Sequence, residues 1–239
     1  HPFQPFILGQ RNIGPLFAAK YNVSLVMYGE NQAEYGNNIK ENEKPTMNEK
    51  FYTTDNPESI KLGGMTINQI CKETNFKYNE FDSYIPKKKS FFEDKSIQVH
   101  YLGYYLKWDP QECFFYASEH TEFQSNDQRT EGSYSKYSSI DDKIDPFHYF
   151  TTLIKFGLGR ASYDASQEVR NQRITREEAI SLVKQYDTEF PSRYYNEFLE
   201  YINIDEEKFW KVVDTFRSDH LWIKRNNSWV LKNTVWSSN

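Results

Sequence analysis

The sequence has few cysteines and no long hydrophobic run, and both absences narrow the classes of protein to which it can belong. Only two cysteines occur among 239 residues, Cys71 and Cys113, and they form no Cys-x-x-Cys pair. This excludes a disulfide-rich secreted fold and predicts a reduced, cytoplasmic protein with two free thiols. No apolar run approaches the roughly 18 residues that a transmembrane helix requires, so we predict no membrane span.

An excess of positive charge is also lacking. The chain has 29 Lys and Arg residues against 34 Asp and Glu residues, for a net charge of -5. Proteins that bind nucleic acid through a general surface usually show a basic excess, so no nucleic-acid partner is predicted. Aromatic residues are abundant instead, with 18 Tyr, 18 Phe and 5 Trp. They supply apolar area for a core although the mean hydropathy is only -0.84.

The first half of the chain has the pattern of an α/β fold. Residues 12–22 predict a helix that begins near Pro15 and ends at Asn22, and the apolar stretch Val23–Tyr28 predicts a strand directly after it. A helix followed at once by an apolar strand is typical of parallel sheets, whose strands are buried on both faces. Ligands in such folds bind beyond the carboxyl ends of the strands.

The second half is predicted to be mainly helical. The polar stretch QSNDQR, residues 124–129, indicates a boundary that divides the chain into an α/β domain, residues 1–124, and a helical domain, residues 125–239. The first domain includes a long polar insertion. Helix starts and a hairpin turn are predicted at Thr66, Asp109-Pro110, Asp145-Pro146, Thr175 with Glu178, Asp205 and Asn226-Asn227.

One polar cluster, GENQAE, follows the predicted strand directly. The carboxylates of Glu30 and Glu34 could bind Mg²⁺ or orient an amine, and Asn31 lies between them in the sequence. Gly29 would allow the backbone to approach a ligand closely. The cluster predicts a ligand-facing loop, and a polar surface turn remains the alternative.

A second cluster is the stretch RTEGSYSKYSSIDDKID. Arg129 and Lys136 near a glycine and several hydroxyls suit phosphate oxygens, and Asp141 beside Asp142 suits a hard cation. The spacing is not that of a Walker loop. An ordered surface loop with Ser139 or Asp141 capping the next helix is the alternative.

A third cluster lies in GRASYDASQEVRNQR. Arg160, Asp164, Gln167 and Asn171 follow one another at helical steps of four, three and four, beside Arg170. If this helical face is buried, it lines a site. If it is exposed, it holds an ordinary i,i+4 ion pair of a few tenths of a kcal/mol.

Several long stretches of the sequence resemble one enzyme family, the N-acetyl sugar amidotransferases. These are bacterial enzymes of surface-polysaccharide (lipopolysaccharide and O-antigen) and flagellin-glycan synthesis, related to the PP-loop ATP pyrophosphatases. The resembling stretches cover most of the chain. They are similar, in the same order, to the C-terminal portion of the family. It is carried by HPFQPFILGQRNIGP, YGENQAEYGN, VHYLGYYLKWDPQE, GSYSKYSSIDDKID, HYFTTLIKFGLGRASYDASQEVRN and ITREEAISLVKQYD.

The resemblance implies a fold and a reaction. The fold is a remnant of a Rossmann-like PP-loop domain of the adenine nucleotide alpha hydrolase type, followed by the helical region. The reaction uses ATP and Mg²⁺ to adenylate an acetamido group on a sugar, after which ammonia displaces AMP and leaves an acetamidino group. A glutaminase subunit is the implied ammonia source, and the sugar is a nonulosonic acid or a hexosamine derivative.

The resemblance also assigns roles to the three clusters. Glu30, Asn31 and Glu34 are expected at the catalytic centre, with Glu30 and Glu34 as Mg²⁺ ligands. Nucleotide contacts are expected from Gly29, Arg129, Lys136, Asp141 and Asp142, and sugar contacts from Arg160, Asp164 and Arg170.

The family's phosphate-binding Ser-Gly-Gly-x-Asp-type loop does not occur in this sequence, so we expect a fragment that is inactive alone. Two alternatives remain. One is another PP-loop adenylating enzyme, such as a tRNA-thiolation enzyme, which the acidic charge and the scarcity of cysteine disfavour. The other is a non-catalytic module that binds sugar or docks a partner.

Overall fold

The computed structural model describes residues 3–29 and 40–237, and the chain folds as two compact units. The first unit comprises residues 1–108 and the second comprises residues 109–239. The boundary predicted at residues 124–129 lies inside the second unit, in a loop between two of its helices. Helices and short strands occur in both units, so the mixed α/β character expected from the sequence is confirmed.

The first unit opens with the predicted pair of helix and strand. Helix α1 spans Gln4–Tyr21, and strand β1 spans Leu25–Tyr28. Asn22 ends the helix in the left-handed conformation with φ of 55°, as its residue type indicates. The helix starts earlier than its sequence pattern predicts, because Pro5 rather than Pro15 occupies its first turn. Pro15 instead lies inside the helix.

A tyrosine of the strand compensates for the proline inside the helix. Pro15 has no N–H, so the carbonyl of Arg11 loses its helical donor. The hydroxyl of Tyr28 lies 2.7 Å from the carbonyl oxygen of Gln10 and 3.2 Å from that of Arg11, and donates to both. A Cβ at Gly14 would lie 2.8 Å from this hydroxyl, so glycine is required for the approach. Burial raises the pKa of Tyr28 to about 12.

Strand β1 pairs in parallel with β4, which spans Gln98–Tyr101. The other edge of β4 carries an antiparallel bridge from Thr46. The expectation that β1 is buried on both faces is wrong, since Leu25 and Met27 are 50% and 42% exposed. Only its other face, Val26 and Tyr28, packs on the core around Val99. This short sheet leaves the Rossmann-like origin of the unit a prediction.

A small hairpin and a second α-helix also lie in the first unit, which contains several short 3-10 helices as well. Strands β2 (Lys61–Leu62) and β3 (Met65–Thr66) are joined by Gly63 and Gly64, both at positive φ. Helix α2 (Ile67–Glu73) then begins with the capping box of Thr66 and Gln69, so the predicted helix start at Thr66 is confirmed.

The second unit is mainly helical, as predicted. The starts at Asp109, Thr175 and Asp205 are confirmed, because each side chain accepts a hydrogen bond from an N–H in the first turn of its helix. The hairpin turn at Asn226 and Asn227 is also confirmed, and both residues have positive φ. The elements are α3 (Pro110–His120), α4 (Asp145–Phe156), α5 (Arg160–Arg170), α6 (Arg176–Tyr186), α7 (Tyr195–Ile202), α8 (Glu206–Thr215), β5 (Trp222–Arg225) and β6 (Ser228–Leu231).

The start of α4 differs from its prediction in one residue. Asp145 was expected to cap this helix, but it is the first helical residue and its side chain makes no cap. The carboxylate of Asp142 instead accepts from the N–H of Ile144 at 2.6 Å. Asp145 is thereby free of a capping role and pairs with Arg160. Gly157 ends the helix in the left-handed conformation, with φ of 77°.

The main core of the second unit is aromatic. The rings of Phe147 and Phe198 stack with centroids 4.0 Å apart, and Phe147 has no exposed surface. The indole N–H of Trp222 donates to the carbonyl oxygen of Ile154 at 2.8 Å, which fastens β5 to α4. A smaller cluster joins α5 to α6 through Ala165, Ala179 and Val183. Within the described residues, no helix is both long enough and apolar enough to cross a membrane.

Candidate functional site

Of the first predicted cluster, only Gly29 lies within the described residues. Glu30, Asn31 and Glu34 lie outside the described residues. Gly29 is described, and a Cβ built on it would meet no atom within 4 Å. The described part of the molecule therefore gives no steric reason for glycine at this position, and the role assigned to the loop stays a prediction.

The second and third clusters come together at the start of α5. The amide of Ala161 donates to the carbonyl oxygen of Gly132 at 3.0 Å. The loop of the second cluster, residues 129–144, therefore lies against the first turn of α5 and is called the serine-rich loop below. Gly132 adopts φ of 82°, and a Cβ there would lie 3.7 Å from the Cβ of Arg160. Two stretches that the sequence treats as separate candidates thus form one polar cluster.

Arg160 is the centre of this cluster and is 8% exposed. Its Nη1 lies 2.6 Å from Oδ2 of Asp145 and 2.9 Å from the hydroxyl of Ser139, and donates to both. Its Nε donates to Asp164 at 3.1 Å. The guanidinium also lies over the ring of Tyr149, 4.2 Å from its centroid. The third cluster is therefore a buried face, not an exposed i,i+4 pair.

The ionisable groups of this cluster shift one another's pKa values in a buried environment. Burial alone would lower the pKa of Arg160, but the neighbouring Asp164, Tyr149 and Asp145 raise it above its usual value. Burial raises the pKa of Asp145 in spite of the arginine beside it. Asp164 also accepts from the hydroxyl of Ser133. The described contacts join these groups to one another, so the cluster connects the serine-rich loop, α4 and α5.

The other cationic candidate, Arg129, is held in a second ion pair. Its two terminal nitrogens each lie 2.6 Å from an oxygen of Glu189, and its guanidinium stacks over Tyr186 at 4.7 Å. Glu189 also accepts from the amide of Gly132 at 2.7 Å. The hydrogen bond from Arg129 lowers the pKa of Glu189, which keeps the carboxylate charged. Arg129 thus orders the serine-rich loop.

The remaining candidates lie apart from Arg160. Lys136 is exposed and donates to the backbone oxygen of Asp127 at 3.1 Å. Asp141 is exposed, and Asp142 bonds the backbone at the start of α4. Arg170 is exposed at the end of α5. Within residues 3–29 and 40–237, no group of three or more His, Cys, Asp or Glu side chains is arranged to hold a metal ion.

Two further buried polar residues, Glu168 in α5 and Asp187 directly after α6, are not among the residues predicted from the sequence. Glu168 is 9% exposed, and burial together with the charge of Asp109 raises the pKa of its carboxyl group. The signal was available, because Glu168 lies four residues beyond Asp164 on the same helical face. Asp187 is 4% exposed and carried no such signal, since it lies at the end of a different helix.

Asp187 caps the start of α5 although it lies 28 residues beyond Gly159 in the sequence. Its Oδ2 accepts from the amide of Gly159 and from the hydroxyl of Ser162, both at 2.9 Å. Its Oδ1 accepts from the amide of Ser162 at 2.7 Å. Burial raises the pKa of the carboxyl group, whereas these hydrogen bonds lower it. The helix N-terminus is therefore already satisfied by a carboxylate and is not open to an anionic ligand.

A cavity of about 300 Å³ lies beside Asp187. It is formed by the end of α4, the start of α5, the end of α6 and the segment that follows β6. The sequence gives no local signal for it, because its walls come from three separate stretches of the chain, residues 157–162, 183–187 and 231–236. Its lining combines an apolar wall with the hydroxyl of Ser162 and the carboxylate of Asp187.

Residues 131–235 match the family described as the C-terminal domain of WbpG-like LPS biosynthesis proteins. A search of curated proteins gave no match. The matched residues lie wholly within the second unit and include the buried cluster, α4 to α8, the hairpin and nearly all of the cavity lining. The resemblance of the sequence to the C-terminal portion of a surface-polysaccharide biosynthesis family is thereby confirmed over these residues. Over residues 131–235, this protein is therefore similar to the WbpG-like family of LPS biosynthesis proteins.

Proposed function

We propose that this chain is the C-terminal part of an N-acetyl sugar amidotransferase of bacterial surface-glycan synthesis. The observation that supports the proposal is the match of residues 131–235 to the WbpG-like LPS biosynthesis family. The reaction itself comes from the resemblance of the longer sequence blocks to the amidotransferases. The acidic net charge of -5 agrees with a small-molecule substrate better than with RNA.

In the proposed reaction, the acetamido oxygen of the sugar attacks the α-phosphorus of ATP and diphosphate leaves. The amide proton is lost, and the product is an O-adenylyl imidate. Ammonia then attacks the imidate carbon, the C–O bond breaks, and AMP leaves with the former amide oxygen. The acetamido group has become an acetamidino group. A glutaminase subunit would supply the ammonia, and water must be excluded because it would hydrolyse the imidate.

The described residues supply only part of what this reaction requires. The cations Arg129 and Arg160 are both occupied by carboxylates, and no described group fits a magnesium ion. The expected Mg²⁺ ligands, Glu30 and Glu34, lie outside the described residues. We therefore assign no nucleotide or metal contact to the second unit, and propose that it positions the sugar and orders the surrounding structure.

The proposal is tested by nucleotide turnover in the full-length protein that contains these residues. We expect AMP and diphosphate to form only when ATP, ammonium and an N-acetylated sugar are all present. Isotope-labelled nitrogen from ammonium should appear in the sugar. Formation of ADP, or the absence of any turnover over a wide range of ammonium concentrations, would contradict the proposal.

A second candidate function is a non-catalytic module that binds sugar. The observation that favours it is the cavity beside Asp187, together with the ion pairs that occupy Arg129 and Arg160. Sugar binding without any AMP formation by the full-length protein would select this function over the enzyme.

A further inference from the structure

The cavity beside Asp187 has a fixed apolar wall. Leu158, Val183, Leu231, Val235 and Trp236 form most of it. The indole of Trp236 packs against the cluster of α5 and α6 that contains Val183, so its position is set by the core. Leu158 and Val235 are 46% and 51% exposed. The wall therefore offers apolar contact to a ligand that enters from solvent.

The polar groups of the cavity are neutral donors and acceptors or an already satisfied carboxylate. Asp187 receives three hydrogen bonds from Gly159 and Ser162, as described above. The hydroxyl of Ser162 donates to Asp187, so its own lone pairs remain to accept a hydrogen bond from a ligand N–H or O–H. Asn233 and Thr234 add an amide and a second hydroxyl.

No lysine, arginine or histidine is among the described residues that line the cavity. A phosphate or carboxylate placed there would lie near the carboxylate of Asp187 without a compensating cation, and the repulsion between the two negative charges is unfavourable. The volume of about 300 Å³ is at the lower end of the range for ligand pockets. These features favour a small, uncharged group with both an apolar and a hydrogen-bonding part.

We propose that this cavity binds the acetamido-bearing edge of the sugar. This inference rests on the proposed function, which supplies an N-acetylated sugar as the ligand. The acetyl methyl group packs against Val183 and Trp236, and the amide N–H donates to the hydroxyl of Ser162. The amide oxygen faces the mouth of the cavity, and the phosphates of a nucleotide bind outside it, where this oxygen can reach the α-phosphorus. An acetamido group combines one methyl group with one N–H donor, which is the combination the lining accommodates.

The test uses one blocking substitution and one matched control in the whole chain. Val235→Trp places a large side chain at the cavity, and Val212→Trp places the same side chain on α8 at a valine that is 44% exposed. The probes are the methyl glycoside of N-acetylglucosamine, methyl glucoside without the acetamido group, and AMP. Binding is measured by saturation-transfer NMR, with thermal unfolding to establish that both variants are folded.

We expect saturation of the acetyl methyl protons in the wild-type protein and in Val212→Trp. The Val235→Trp protein should bind the N-acetylated probe at least about tenfold more weakly than the wild-type protein does. A tenfold loss corresponds to a binding free energy on the order of 1.4 kcal/mol. Methyl glucoside should bind more weakly than the acetamido sugar, and AMP should not displace it. Asn233→Ala, compared with Asn196→Ala on α7, provides a second pair that leaves the apolar wall unchanged.

Absence of binding to the wild-type protein, equal binding by both tryptophan variants, or displacement by AMP would overturn the cavity assignment. Failure of the proposed function gives a different result. If Val235→Trp abolishes sugar binding but the full-length protein never forms AMP, the cavity assignment stands and the amidotransferase does not. If the full-length protein forms AMP and Val235→Trp leaves its KM for the sugar unchanged, the enzyme stands and the cavity assignment does not.

Discussion

Arg160 and Asp145 form a buried ion pair in which Nη1 of the arginine donates to Oδ2 of the aspartate at 2.6 Å. Arg160 is the first residue of α5, and Asp145 is the first residue of α4. The pair therefore fixes the relative positions of two helix starts, and Ser139 joins the serine-rich loop to the same guanidinium. The cavity beside Asp187 is bounded by the same helix, so its shape depends on this connection.

Replacing Arg160 with methionine should destabilise the second unit strongly. The substitution leaves Asp145 and Asp164 buried without their cation, and breaking a buried pair in this way typically costs about 3–5 kcal/mol. The measurement is urea unfolding followed by tryptophan fluorescence. Arg176→Met, at an exposed arginine in the first turn of α6, is the matched control and should change the unfolding free energy by about 0.5 kcal/mol or less. Equal midpoints for the two variants would contradict the prediction.

Gly159→Ala should also destabilise the second unit. A Cβ at Gly159 would lie 2.4 Å from the backbone oxygen of Asp187, a distance that requires the backbone to move. Displacing the first turn of α5 in this way should cost about 1–3 kcal/mol. Gly9→Ala is the contrasting substitution, because its Cβ would lie 3.8 Å from the ring of Tyr84 and alanine favours the helix. Thermal unfolding of both variants gives the comparison, and an unchanged midpoint for Gly159→Ala would exclude the close contact.

Tyr28→Phe should destabilise the first unit. The phenylalanine keeps the ring but removes the hydroxyl that donates to the carbonyls of Gln10 and Arg11 beside Pro15. The loss of a partly buried hydrogen bond of this kind costs about 1–2 kcal/mol. Tyr21→Phe, at a tyrosine of α1 that is 61% exposed, should have almost no effect. Hydrogen exchange of the α1 amides measures both, and equal protection in the two variants would refute the role of Tyr28.

His148 should make the stability of the second unit depend on pH. Burial, with the positive charge of Arg160, lowers the pKa of its imidazole from 6.5 to about 4 in the folded state. As pH falls from about 6.5 to about 4, the unfolded chain takes up a proton that the folded chain does not. The unfolding free energy should therefore fall by about 1 kcal/mol per pH unit across this window, and His148→Gln should remove that part of the slope.

The pH measurement must separate His148 from the buried carboxylates. Asp145 and Asp187 have raised pKa values, so they bind protons in the folded state and change stability in the opposite direction. Both carboxylates are present in the wild-type protein and in His148→Gln, so the difference between the two unfolding curves isolates the histidine. A difference that is constant between pH 4 and pH 7 would show that His148 does not titrate as described.

Local signals in the sequence predicted the helix starts well and the buried partners poorly. The capping box of Thr175 and Glu178 needs only four consecutive residues, and it forms as predicted. Asp145 precedes proline and resembles a cap, yet its carboxylate is taken by Arg160 fifteen positions later. A local rule cannot anticipate this outcome, because a buried guanidinium binds a carboxylate more strongly than a backbone N–H does.

The candidate site shows the same division between near and distant residues. The spacing of Arg160 and Asp164 predicted their contact, and burial of that face was one of the two possibilities left open. Ser133, which donates to Asp164, lies 31 positions away and was recognised only as part of a hydroxyl-rich loop. Asp187 and the cavity wall had no signal at all, since three distant stretches of the chain contribute to the cavity.

The sequence alone determined where α2, α3, α6 and α8 begin, the lack of basic charge, and the resemblance of residues 131–235 to the WbpG-like family. These depend on residue type and on short spacings, which act within one or two turns of the chain. Tertiary structure decided which face of β1 is exposed, which carboxylates pair with Arg160, and that Asp187 lies beside a cavity. These three features depend on which distant segments of the chain pack together and exclude water. That packing is set only when the whole unit has folded.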